Sequence, residues 1–457
     1  MYNSFRAKGK KALPISCCFA AALLAGSNTV LAGEKIDPSK QTEIFLQVRE
    51  RAEYQDNFND KSYGAQPQVG DSSDAFLVSR IRLGVKHQFN EQFAAQVSMQ
   101  DSRALGWALN EEEVWARKEF AGIEHNPQDD PLELGATWLQ YEANGFNARI
   151  GRQLIGYGNE RVVAASNWKN SGSWVWDAVR AGYKNGAHWI DGFYGESMVH
   201  DPDVFSINHR HGYVGAGMYG HVQVSDALAL EPMLISKYND NSLEYEEKNF
   251  LYCGARVFFE LSGFSVDATY VQQGGTVTTL DRGEVDSDAQ GINLDMSYRL
   301  NPQWSLGTTF SFASGDDKTT DDIERFDASY GAADKYYGRI NLIRWSNMMD
   351  YGLTANYRPF KGLNIRGEVH QFYADQINDK WLSYKTGLDA SDDEYGNEID
   401  LVVKFKMNPT WSFAAGASVF MPGNAIEEAV AHDQENLTDD TAYTGFFQVT
   451  YSMRSFL

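Results

Sequence analysis

The stretch Gly151–Arg180 reads GRQLIGYGNERVVAASNWKNSGSWVWDAVR, and its flanks decide what kind of chain carries it. Before it, Phe146, Ala148 and Ile150 alternate with Asn147, Arg149 and Gly151. At its end Val179, Ala181 and Tyr183 alternate with Arg180, Gly182 and Lys184. A period of two with one apolar and one polar face is the pattern of a β-strand. Glycines and a tryptophan-rich segment lie between, and arginine recurs at 149, 152, 161 and 180 beside Glu160 and Asp177. The unit is therefore strand, loop, strand.

Outward from this unit the same plan repeats. RLNPQWSLGTTFSF (299–312) and KMNPTWSFAAGASVF (406–420) are near copies, each placing Asn-Pro and a Trp between two alternating stretches. QFNEQFAAQVSM, EANGFNARIG, QVSDALALEPML, ELSGFSVDATY and RPFKGLNIRGEV follow suit. Brief turns alternate with longer acidic loops at Asn110 to Asp130, Gly315 to Asp334, Leu388 to Glu398 and Glu427 to Asp440. Short connections on one side and long ones on the other are the asymmetry of an outer-membrane β-barrel, the short side being periplasmic. A soluble all-β protein explains the alternation but not the asymmetry.

Composition agrees: 24 Tyr, 26 Phe, 11 Trp and 40 Gly against 11 Pro suit paired strands with aromatic girdles. The mean hydropathy of -0.45 suits a wide barrel with a polar lumen and polar loops. Arg6, Lys8, Lys10 and Lys11 precede an apolar run from Leu13 to Leu24, and Val30-Leu31-Ala32 precedes Gly33. This is read as a secretory signal peptide over residues 1–32, cleaved after Ala32, with residues 33–457 forming one barrel. Cys17 and Cys18 fall in the leader, so the processed chain keeps Cys253 alone and has no internal disulfide. Beyond the leader no apolar run of 18 or more occurs, which excludes helical membrane spans. At about 23 residues per strand with its connection, the chain fits roughly 18 strands. The C-terminal TGFFQVTYSMRSFL puts Phe447, Val449, Tyr451, Met453 and Leu457 on one face. It resembles the closing strand read by the barrel assembly machinery, except that it ends in Leu457 after Phe456.

The spelling GRQ, then YGxxR, a Trp and WDAxR closely resembles the signature of the alginate export family of outer-membrane porins. That resemblance covers nearly the whole processed chain. It implies an 18-stranded monomeric barrel in the cell outer membrane, with an electropositive constriction that conducts a polyuronate. Arg152, Arg161 and Arg180 sit in the matching motifs and are the candidates for that constriction, with Asp177 holding an arginine in place.

Strand parity extends the lining. In 42–54, Ile44, Leu46 and Val48 meet lipid and turn Gln47, Arg49 and Arg51 inward. In 77–86, Leu77, Ile81, Leu83 and Val85 face out, turning Arg80, Arg82 and Lys86 in. The same parity turns in Arg256, Arg299 and Arg366, since arginine on the lipid face costs about 2–4 kcal/mol near the midplane. Planar guanidinium groups against a low-dielectric wall attract anions and match carboxylates in two-point contacts. Glu53, Glu260, Asp295 and Glu368 share the lining, and a paired ladder that only holds the wall is the alternative.

The formal charge is -22, or -26 once the four positive charges of the leader are removed, which argues against nucleic acid as a partner. No G-x-S-x-G, H-E-x-x-H or Walker pattern is present, so no enzyme is expected. His200, His209 and His211 near Asp201 and Asp203 read as a polar loop rather than a metal site. The acidic runs read as solvated surface, with calcium capture beside lipopolysaccharide as the functional alternative; no other cofactor is expected. The expected function is an anion-selective channel for an acidic polysaccharide such as alginate, or its oligomers. A general diffusion or oligosaccharide-uptake porin is the alternative, and an outer-membrane enzyme or surface binding protein the third.

Overall fold

The computed structural model describes residues 41–57, 74–105, 129–165, 168, 170–172, 174–198, 205, 211–239, 247–279, 282–332, 335–379, 390–432 and 439–457. The leader, His200, His209, Asp201, Asp203 and the acidic stretches 110–128 and 433–438 lie outside the described residues.

Alternating sequence becomes strand nearly everywhere. In order these are β1 (Thr42–Asp56), β2 (Asp74–Gln88), β3 (Phe93–Leu105), β4 (Asp130–Leu134), β5 (Thr137–Ala143), β6 (Phe146–Gln153), β7 (Trp176–Asn185), β8 (His188–Met198), β9 (His211–Ser225) and β10 (Leu228–Asn239). There follow β11 (Glu247–Leu261), β12 (Phe264–Thr279), β13 (Gly283–Arg299), β14 (Trp304–Ala313), β15 (Met348–Tyr357), β16 (Leu363–Tyr373), β17 (Glu394–Lys406), β18 (Trp411–Pro422), helix α1 (Asn424–His432) and β19 (Ala442–Phe456). Neighbours pair antiparallel, and β1 pairs with β19 from Glu43↔Phe456 to Asp56↔Tyr443, which closes the sheet. Closure leaves no strand edge facing lipid. β4 and β5 pair with successive parts of β3, through Met99↔Leu134 and Gln96↔Trp138, and are two halves of one interrupted stave. The barrel thus has eighteen staves, the expected number.

Local chemistry sets the short turns. In the two near-copy hairpins, Asn301 Oδ1 accepts from the N–H groups of Gln303 and Trp304, and Asn408 Oδ1 from those of Thr410 and Trp411. Asn90 does the same for Gln92 and Phe93, so three turns share one asparagine cap. Asn144-Gly145 and Ser262-Gly263 close two-residue turns with φ of 51°/82° and 53°/85°, the left-handed pair that matches strand twist.

The lipid face follows parity: Leu83, Leu139, Ile150, Val179, Tyr194, Leu353 and Phe447 are all exposed. The lumen departs from expectation, because its outer half is filled by an apolar core rather than water. The loops 154–175 and 314–347 fold inside and meet at a parallel bridge between Val163 and Tyr330. Ala164 N donates to Tyr330 O at 2.9 Å, and Ala332 N to Glu160 O at 3.0 Å. Trp176, Phe193, Met233, Ile235 and Tyr252 of the wall pack with Tyr330, Tyr337, Phe326 and Trp345 of the loops. The outer ends of these strands are consequently apolar on both faces. Gly215 lacks a side chain where a Cβ would sit 2.5 Å from Trp176. Asp316, expected to be solvated, is buried in this packing, and its N–H donates to Asp379. Cys253 is disulfide-bonded in the full-length chain; the expectation of no disulfide concerned the chain cleaved after Ala32, in which Cys253 is the one cysteine.

Candidate functional site

Two cavities of the lumen border the folded-in loops. The larger, about 770 Å³, runs along β1, β2 and β16–β19, from Gly362 and Lys406 at the short-turn end to Trp168 and Asn341 of the loops. Its charged lining is Arg49, Arg80, Lys335, Arg339, Lys404 and Lys406 against Glu53 and Glu160. Trp168 and Phe446, whose rings meet edge to face, add flat apolar surfaces. The smaller, about 370 Å³, lies against β11–β16 and is lined by Arg161, Arg299, Lys335, Arg358 and Arg366 with Glu260, Asp295 and Glu368. Lys335 borders both.

The arginines of β1 and β2 are positioned by loop 154–175. Register puts Arg49 directly opposite Arg80, and Arg82 one rung away opposite Gln47. Asn170 is fully buried between them: Arg49 Nη2 donates to its Oδ1 at 3.1 Å and Arg80 Nη1 to its carbonyl at 3.5 Å. Asn170 Nδ2 in turn donates to the carbonyls of Ser79 and Arg103. Arg51 pairs with Glu53, donates to Trp168 O at 2.8 Å, and lies 4.1 Å over the Trp168 ring. Arg82 donates to Gln100 at 2.5 Å. Arg49 and Arg80 border the larger cavity; Arg51 and Arg82 border neither.

Arg161 is buried where the two loops meet the wall. It holds Asp295 at 2.8 Å and lies 3.8 Å over Tyr336 and 5.3 Å over Tyr337. Arg299, paired loosely with Glu260 at 3.5 Å, and Arg366, bonded to Glu368 at 2.7 Å, join it around the smaller cavity. Arg256 is tied to Glu231 and Asp267, both at 2.7 Å, and Arg180 to Asp191; neither borders a cavity.

Arg152 and Asp177 are placed differently from the other candidates. The Arg152↔Asp177 rung comes two residues after the lipid-facing Ile150↔Val179 rung, so Asp177 shares the outward side of β7 with Val179. Arg152 makes a two-point contact with Asp177, both bonds 2.8 Å, and reaches Glu133 at 2.7 Å beside the β4–β5 interruption. Gly151, with φ of 119°, sits where a Cβ would be 2.4 Å from Thr137 O. This cluster seals the wall and borders neither cavity.

Lys335, Arg339, Lys404, Lys406 and Arg358 are absent from the sequence reading. Lys404 and Lys406 were within its reach, because they alternate with Val403 and Phe405 as Arg80 does with Ile81. Lys335 and Arg339 lie in an acidic loop with no periodicity to place them. Arg339 bonds Glu368 at 2.6 Å. Burial works against the charge of Lys335, but Tyr336 and Glu160 outweigh it and raise its pKa. Asp327 anchors the same loop to Lys237 at 2.6 Å and Lys248 at 3.1 Å. Burial favours its neutral form, yet those two ammonium groups hold it far below the usual carboxylate range. Among the described residues no group of three or more His, Cys, Asp or Glu is arranged to hold a metal.

A closed barrel with an apolar outer belt and charged inner cavities defines an outer-membrane channel. The family model for alginate export matches residues 41–440, and the chain belongs to that family. Acinetobacter baumannii OccAB2 is similar in fold at a TM-score of 0.62 and 10% identity, over 90% of this chain and 98% of that one. Pseudomonas aeruginosa OccK2 (OpdF), solved in complex with glucuronate, is similar at 0.59 and 10% identity, over 90% and 96%. Pseudomonas aeruginosa OccK8 (OprE) is similar at 0.59 and 10%, over 91% and 98%. No curated protein matches the sequence.

Proposed function

We propose that the channel is anion-selective and passes an acidic polysaccharide such as alginate, or its oligomers, along the cationic lumen. The observation that carries this is the larger cavity's lining of six cationic side chains to two carboxylates, within a protein of net charge -22. Cations set on a low-dielectric wall concentrate anions at the point of passage. Arg49 and Arg80 of β1 and β2 line the same cavity as Arg339 of the loop and Lys404 of β17, so successive carboxylates of a uronate chain meet successive cations. Trp168 and Phe446 supply faces for the apolar sides of sugar rings.

A second reading, uptake of small carboxylates or oligosaccharides, draws on the division of the lumen into cavities of about 770 and 370 Å³. These suit a short ligand as readily as a threaded polymer. The OccK2 structure holds glucuronate on the same fold.

Reversal potentials in a planar bilayer under a salt gradient test both readings, with polyuronate and then monomeric uronate added to one side. Anion preference with block by the polymer supports the polysaccharide channel, and block by the monomer alone supports small-carboxylate uptake. Cation preference overturns both.

A further inference from the structure

Loop 314–347 is seated on buried carboxylates of the barrel wall. Register sets His370 opposite Glu398 and Glu368 opposite Asp400, on two successive inward rungs of β16 and β17. All four side chains are buried, Glu398 completely. The loop closes over Glu398, whose Oε1 accepts from Ile340 N at 2.8 Å. Gly338, with φ of 78°, lies where a Cβ would be 2.3 Å from Glu398 Oε2. Loop backbone therefore rests directly on the carboxyl group.

The charges under the loop are unevenly matched. Glu368 has two guanidinium partners, Arg339 of the loop at 2.6 Å and Arg366 at 2.7 Å. Asp350 of β15 has the His370 ring at 2.9 Å, and also faces Arg161, which is itself held by Asp295. Neither Glu398 nor Asp400 has an arginine or lysine partner among the described residues. Lys404, four residues along β17 toward the short turns, sits among Arg339, Arg366 and Glu368 instead. From β18 the residues opposite are Ser418 and Phe420, and α1 presents Ala425, Ile426 and Ala429 to the core. Glu398 and Asp400 lie within hydrogen-bonding reach of each other. Two ionised carboxylates offer each other acceptors only, and when buried without a cation they repel in a low dielectric. One proton on the pair removes a charge and turns one acceptor into a donor. Among the described residues these groups are not arranged to hold a metal in its place.

We infer that Glu398 and Asp400 form a proton-binding site, and that the proton they share is the ligand that lets loop 314–347 dock. The docked state then binds one more proton than the released state, in which water reaches both carboxylates. By linkage, docking is complete while the pair holds its proton and weakens as pH rises, the docked-to-released ratio falling by up to about tenfold per pH unit. Loss of the His370 proton, which leaves Asp350 without its cation, acts in the same direction, so the test separates the two pairs.

The test follows limited proteolysis of loop 314–347, and unit conductance in a planar bilayer, as pH is raised from neutral into the alkaline range. Folding is checked by heat-modifiable gel migration. In the parent the loop should become cleavable and the conductance should rise on the alkaline side. Glu398→Gln and Asp400→Asn each place an amide donor where the shared proton sits and leave one carboxylate, so each should keep the loop protected and the conductance low throughout. Infrared spectra at neutral pH should show a protonated carboxyl band in the parent that the double variant lacks. Parent protection that stays flat into the alkaline range overturns the inference, as does an infrared band shared by parent and double variant. A parent-like pH response in both single variants overturns it too, by assigning the response to His370 and Asp350.

Discussion

Replacing Arg161 by alanine should loosen the loops that fill the lumen without unfolding the barrel. Arg161 has a side chain 1% exposed, its partner Asp295 is 30% exposed, and Tyr336 stacks on the guanidinium at 3.8 Å. Removing one partner of a buried pair costs about 3–5 kcal/mol. Asp295 also accepts from Thr309 Oγ and can reach water, which places the ion-pair loss at the lower end. Loss of the stacked cation adds about 1–2 kcal/mol, so the total is about 4–5 kcal/mol. At 1.4 kcal/mol per factor of ten, the ratio of docked to released loops should fall by roughly three to three and a half orders of magnitude. The barrel hydrogen bonds are untouched, so the effect appears as local opening rather than global unfolding. Single-channel recording should show a higher unit conductance, or frequent excursions to one, and proteolysis should cut loop 314–347 sooner. Asp295→Asn should have a smaller effect, since the stacking survives. Unchanged conductance and unchanged proteolysis in folded Arg161→Ala protein would refute the idea that this residue docks the loops.

Other residues separate wall from pathway. Arg152→Ala should leave the reversal potential unchanged, because Arg152 borders neither cavity, yet lower barrel stability by about 3–5 kcal/mol by stranding the buried Glu133. Refolding into lipid vesicles across a urea series measures the loss. Lys404→Gln should do the reverse, reducing the cavity's cations from six to five and shifting the reversal potential toward cations with stability unchanged. Asp327→Asn should release Lys237 and Lys248 and make loop 314–347 protease-sensitive at neutral pH. In the parent the folded pKa of Asp327 is depressed. Its stabilisation is therefore complete above the ordinary carboxylate pKa of about 3.9 and is lost only as pH falls through the lower folded value. Protection of the loop should accordingly be flat from pH 7 to about 4, and a loss centred near pH 6 would count against Asp327 as the anchor.

The barrel was legible because its evidence is local. Two faces impose a period of two, and asparagine three residues before the hairpin aromatic sets the turn, so the repeated hairpins follow from short windows, while the count of about eighteen follows from chain length at about 23 residues per strand. The inward arginines of β1 and β2 follow from the same parity. Lys404 follows too, but only if lysine is read as arginine was. Arg152 shows where the rule needs care. Counting on from Ile150 puts it on the outward side, whereas the motif likeness ranks it with Arg161 in the constriction. The interruption at Gly135–Ala136 and the left-handed Gly151 turn it into a pocket in the wall itself.

The lumen filling was not legible, for a reason that is physical rather than statistical. Val163 and Tyr330 are separated by well over a hundred residues and neither belongs to a periodic segment, so no window holds both ends of the contact. Composition pointed toward water inside, since a wide barrel of negative mean hydropathy has polar surface to place somewhere. The polar surface is instead concentrated in the acidic loops and in the half of the lumen nearer the short turns. The outer half repeats the logic of a soluble core: Trp176, Tyr330 and Trp345 are buried from water because loops cover them. A strand apolar on both faces, such as Met233-Leu234-Ile235 in β10, is the trace this leaves in the sequence. Read as a lipid-facing strand it looks irregular. Read as a wall with lipid outside and a folded loop inside, it requires each of those side chains. The same contrast explains how cations can line the pathway of an acidic protein: loops that exclude water from the outer half leave the Arg49–Arg80 rung and Lys404 bordering the space that remains.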